Sequence, residues 1–79
     1  MLRLGQPRAA LNSALQAVDL DPNRAEDHLN AGVARERLGQ THAAERAFRR
    51  AVHLKPSLAG ARSNLGSALP ALGRLDEGG

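Results

Sequence analysis

Apolar residues return at steps of three and four through most of this 79-residue chain, and each such stretch is closed by a proline or a glycine. Ala10, Leu11, Ala14, Ala17 and Val18 form one stripe, which predicts a helix from Pro7 to about Leu20, with proline tolerated in the first turn because its missing N–H has no partner there. Asp21-Pro22-Asn23 interrupts it. Asn23 is the expected N-cap of a second helix, with Glu26 three residues on as in a capping box, and Gly39 is the expected left-handed end after about Leu38. Ala44, Ala47, Phe48 and Ala51 mark one face of a third helix, about Thr41 to Leu54; Glu45, Arg46, Arg49, Arg50 and His53 lie on the opposite face. Lys55-Pro56-Ser57 repeats the break. Ser57 is the expected cap of a fourth helix reaching about Ala71, closed by Gly73, and a fifth helix begins at Leu75-Asp76-Glu77. Pro70 predicts that the fourth helix kinks or ends about a turn early, because its ring clashes with the carbonyl of Gly66 in a regular helix.

The stripes are copies of one another. At an offset of 34 residues, Arg3-Leu4-Gly5-Gln6 matches Arg37-Leu38-Gly39-Gln40, and Ala17-Val18 and Pro22 match Ala51-Val52 and Pro56. Asn30, Gly32, Ala34 and Leu38 then recur as Asn64, Gly66, Ala68 and Leu72, so that 16 of 45 comparable positions agree, far more than a composition rich in Ala, Leu, Arg and Gly yields by chance. The period and the anchors Gly32, Ala44-x3-Phe48 and Pro56 resemble the tetratricopeptide repeat, a helix-turn-helix unit of about 34 residues. His28 and Arg35 stand where that family usually places Trp and Tyr. The resemblance implies an all-α fold of antiparallel helix-turn-helix repeats forming a short right-handed α-solenoid. It divides the single domain 1–79 into the second helix of a partial repeat (1–22), a complete repeat (23–56) and a further partial repeat (57–79). Gly32, Ala34, Ala44, Ala51, Gly66 and Ala68 are the small residues that let neighbouring helices approach closely.

Composition narrows the function. No run approaches the roughly 18 apolar residues of a membrane span, the longest uncharged stretch, Ser63 to Gly73, being broken by Gly66 and Pro70. The net charge of +3 is modest, and with one Phe and neither Trp nor Tyr there are no stacking platforms for bases, so nucleic acid is not the expected partner. Arg3 and Arg8, with no acid before Asp19, superficially suggest a targeting peptide, but their register with Arg37 to Pro56 identifies a repeat helix. Without cysteine there is no disulfide scaffold, and a cytoplasmic location is the expectation. His28, His42 and His53 lie 14 and 11 residues apart, which excludes an H-x3-H metal pair, and the serines lack a nucleophile elbow. No catalytic centre, cofactor or metal site is expected.

What remains is binding. In the architecture that the resemblance implies, the first helix of each unit lines a concave groove, and Asn30 and Asn64 resemble the asparagine ladder of the repeats in O-linked N-acetylglucosamine transferase. An Asn amide both donates and accepts, which suits an extended peptide backbone. Asn30, Asn64, Leu29, Val33 and Arg37 are the expected groove residues. A clamp for an acidic tail is disfavoured, because Glu26, Gly60, Ser63 and Ser67 occupy neighbouring places and only Arg37 is positive. Arg46, Arg49, Arg50 and Lys55 form a basic patch expected to be solvated. The expected function is a protein-interaction scaffold holding an extended segment; the alternative is the substrate-recruiting part of a larger enzyme such as a glycosyltransferase or sulfotransferase. Self-association through exposed repeat ends is a further expectation, since Leu11, Leu15 and Val18 at one end and Leu65, Leu69 and Leu72 at the other lack a complete cover.

Overall fold

Helix boundaries repeat with the sequence. The computed structural model describes residues 7–78, with side chains through Pro70; Gly5, Gln6 and the side chain of Leu72 lie outside the described residues. The helices are α1 (Pro7–Leu20), α2 (Ala25–Arg37), α3 (Thr41–Leu54) and α4 (Ala59–Gly78). α3 begins and ends 34 residues after α1, and α4 begins 34 residues after α2.

Both proline turns are built alike, and neither caps its helix as the sequence suggests. The Arg24 N–H bonds the Asp21 carbonyl at 3.4 Å, and the Leu58 N–H bonds the Lys55 carbonyl at 3.0 Å, with Pro22 and Pro56 at the second turn position, where a fixed φ is favourable. Asn23 is therefore a turn residue. Its N–H is taken by Asp21 Oδ1 at 3.2 Å, the N-cap of α2 is Arg24 without a side-chain cap bond, and Ser57 likewise lies in the turn two residues before α4. The end of α2 is as expected: Gly39 has φ +81, its N–H bonds the Glu36 carbonyl at 3.0 Å, and the Gln40 N–H bonds the Arg35 carbonyl at 2.9 Å, a Schellman motif.

α4 departs from the expected pattern. It continues through Pro70 and Gly73 to Gly78, so there is neither an early end nor a separate fifth helix. Pro70 and Gly66 are both exposed, and open space surrounds Gly66. The carbonyl that loses its N–H partner can therefore be hydrated, and no neighbouring helix forces a break at the proline.

Each helix packs on the next, and α2 also touches α4, whereas α1 and α3 do not meet. That asymmetry curves the stack, placing α2 and α4 on the inner side and α1 and α3 on the outer. The shortest extent of the molecule, 18 Å, is two helix layers at the usual spacing of about 8–10 Å. Phe48, fully buried, is the largest core side chain; with Ala44 and Ala68 it is flanked by Leu29, Val33 and Leu65. Ala25, Ala51 and Ala61 make a second cluster, again against Leu29, and Leu11, Ala14, Ala31 and Ala34 join α1 to α2.

Phe48 fits because Gly32 has no side chain: a Cβ there would stand 2.5 Å from Phe48 Cε1. Gly32→Ala should lower stability by about 1–3 kcal/mol through overpacking, less the gain in helix propensity. Gly66→Ala, at the equivalent but open place, should raise stability by about 0.5–1 kcal/mol. Thermal melts followed by circular dichroism check the pair, and shifts of the same sign in both variants would contradict this account of the seam.

Candidate functional site

Asn30, Val33 and Arg37 share one face of α2, at steps of three and four, and that face looks into an open groove between α1 and α2. The opposite wall comes from α1, mainly Ala10, Ser13 and Ala17, so the floor is of alanine methyls with polar groups along its rim. Asn30 and Arg37 are exposed, and neither has a hydrogen bond or ion pair among the described residues. Asp27 completes the rim one turn before Asn30, and Arg24 Nε stands 3.7 Å from its Oδ2. The groove occupies about 390 Å3, within the size of ligand clefts at about 300–1,000 Å3, but it is open along its length and better shaped for a chain segment than for an enclosed small molecule.

The other two expected residues fall elsewhere. Leu29 is half-buried and packs in both core clusters of α3 and α4, with its Cδ2 3.3 Å from where a Cβ on Gly60 would be. Asn64 is half-buried on α4 and does not line this groove. Asp27 and Ser13 are additions. Asp27 was legible as the preceding step of the series Asn30, Ala34 and Arg37, but Ser13 enters only because α1 lies alongside.

Electrostatics at the base of α2 is local. Glu26 accepts from its own backbone N–H, which is the main reason its carboxyl is held below the ordinary range, and Lys55 Nζ donates to Glu26 Oε2 at 3.3 Å, tying the start of α2 to the end of α3. His28, at the place usually given to Trp, is half-buried and hydrogen-bonded through Nε2 to the Pro22 carbonyl at 2.8 Å. Arg35, at the place of Tyr, donates to Gln40 Oε1 at 2.8 Å beside the Schellman end. Both bulky family residues are thus replaced by groups that fasten α2 to its flanking turns.

The sequence profile described as tetratricopeptide repeat matches residues 2–57 and again residues 29–78. Together with the helical hairpins at a 34-residue period, this means that the chain belongs to the tetratricopeptide repeat family. These repeats generally mediate protein–protein interactions and are typically non-catalytic. No curated relative matches the chain. Among the described residues no helix is long and apolar enough to cross a membrane.

Burial separates the roles of adjacent residues on α2. Leu29→Ala should cost about 1–3 kcal/mol, toward the low end for a half-buried leucine, whereas Asn30→Ala should stay within about 0.5 kcal/mol of the parent. Urea denaturation measures both, and a loss at Asn30 equal to that at Leu29 would make Asn30 a structural residue.

Proposed function

We propose that this chain is a protein-interaction scaffold that holds an extended segment of a partner protein along its inner side. The supporting observation is that Asn30, Val33 and Arg37 line one open groove with an alanine floor. The Asn30 amide pairs with the backbone of the segment, Arg37 receives a carbonyl or carboxylate, and small apolar side chains rest on Ala10, Ala14, Ala17 and Val33. A segment that runs on past the groove would meet Asn64, the counterpart of Asn30 on α4, and Leu29 supports α2 from the core. Selection from a peptide display library tests the reading. Enriched peptides should lose about tenfold in affinity for Asn30→Ala/Arg37→Ala, with an unchanged melting curve. Peptides indifferent to both residues would place the binding site elsewhere.

A second occupant is favoured by comparing equivalent positions one repeat apart. Ala44 and Ala25 are buried at 0% and 3% exposure, but their counterparts Ala10 and Ala59 are exposed; Gly32 is buried and Gly66 exposed; and Leu69 on α4 is 47% exposed. The uncovered end face of α4 therefore has the small residues with which α2 packs on α3, and α1 offers the face of α3. We infer that α4 of one 79-residue chain docks on α1 of the next. Such a head-to-tail contact is heterologous, so whether it builds rings or open chains the mass measured by sedimentation should rise with concentration, and Leu69→Glu should abolish the rise without loss of helicity. A monomer at all concentrations with a cooperative melt would exclude this assembly.

A further inference from the structure

The basic residues of α3 are not equivalent to one another. Arg49 Nε donates to Glu45 Oε2 at 2.7 Å, and Lys55 is engaged with Glu26, so two members of the sequence patch are neutralised locally. Arg46 and Arg50 have no ion-pair partner among the described residues. They sit one turn apart and wall a second groove, on the outer side of the stack, where α1 and α3 stand away from each other. Leu15 and Val18 of α1 form the other wall, and Ala31 and Arg35 of α2 form the floor. Leu15 is 39% exposed there, one of the few large apolar side chains left to solvent among the described residues. Among the described residues no carboxylate lines this groove.

Three guanidinium groups around an apolar strip, with no acid beside them, define the chemistry of what covers the strip. Nucleic acid would satisfy the charges but would leave Leu15 and Val18 against a phosphate backbone, and no aromatic side chain is present to receive a base. A helix with carboxylates four residues apart matches the spacing of Arg46 and Arg50, and its adjoining apolar positions reach the opposite wall. Arginine favours such a partner through paired N–H donors that fit a carboxylate. We propose that the outer groove between α1 and α3 is a docking site for an acidic amphipathic helix of another protein, with Arg46, Arg50 and Arg35 taking its carboxylates and Leu15 and Val18 its apolar side chains. This site lies on the opposite side of α2 from Asn30 and Arg37 and stands independently of the inner groove.

The probe is a labelled synthetic helix-forming peptide with glutamates four residues apart and leucines on the adjoining face, titrated with the full chain by fluorescence anisotropy. Expected are saturable binding, a loss of about tenfold when the glutamates become glutamines, and a similar loss for Arg46→Ala/Arg50→Ala, each a difference of about 1.4 kcal/mol. Leu15→Ser should also weaken binding, whereas Asn30→Ala/Arg37→Ala should leave it unchanged. Charge reversal guards against misfolded variants: Arg46→Glu/Arg50→Glu should bind the same peptide only when its glutamates are replaced by lysines. Absence of binding overturns the proposal. So does equal affinity for the glutamine peptide, or an oligonucleotide that binds as tightly through Arg46 and Arg50 with no dependence on Leu15.

Discussion

The contact that fixes the geometry of the stack is the ring of Phe48 against the bare backbone of Gly32. A side chain at Gly32 would occupy the space of the ring, so α2 and α3 can reach this separation only with glycine on one helix and a flat apolar group on the other. Ala44 and Ala51 lie a turn to either side of Phe48, and both are fully buried, which keeps the two helices close along the seam. Ala68 then brings α4 onto the same ring, and Leu29 and Val33 close the edge. The curvature follows from this contact, because α4 is drawn toward α2 while α1 and α3 stay apart.

The same frame is filled differently one repeat earlier. Ala14 takes the place of Phe48 and Leu11 that of Glu45, so the seam of α1 with α2 is an aliphatic one around Ala31 and Ala34. In α3 the buried Glu45 is held by Arg49, so its charge is matched at the surface side of the helix. Alanine supplies eight of the ten buried hydrophobic residues among those described, and a methyl group contributes little burial on its own. Cohesion in such a stack therefore depends on continuity along the helix faces, and the half-buried Leu29, Val33, Leu58 and Leu65 carry a large share of it.

Much of this was legible because proline and glycine punctuate the chain so regularly. To within a residue, the four helix starts follow from Pro7, Pro22, Pro56 and the 34-residue period, and the left-handed end of α2 follows from the glycine at position 39. The cap of α2 was not legible, because Asp21 competes for the N–H of Asn23, a choice between two good side chains that spacing does not resolve. The length of α4 was misjudged for a related reason: the cost of Pro70 depends on whether the freed carbonyl meets water or another helix. Asn30, Val33 and Arg37 were readable as one helical face, but nothing in the sequence says that Leu29, one residue before Asn30, turns to Gly60 on α4. The outer groove was the least accessible, since Leu15, Arg35, Arg46 and Arg50 come from three helices and only their packing brings them together.

α2 is the element these features share. Its inner face supplies Asn30, Val33 and Arg37 to one groove, and its outer face supplies Ala31 and Arg35 to the other, while Gly32 between them receives Phe48. A helix of 13 residues is marginal by itself, so its persistence rests on α1, α3 and α4. The replacements at the two bulky family positions make sense in that light. His28 anchors its first turns to Pro22 and Arg35 its last turn to Gln40. With both ends fastened by hydrogen bonds and the middle held by Phe48, α2 can leave two faces open without losing its register, which is what the two proposed binding sites require.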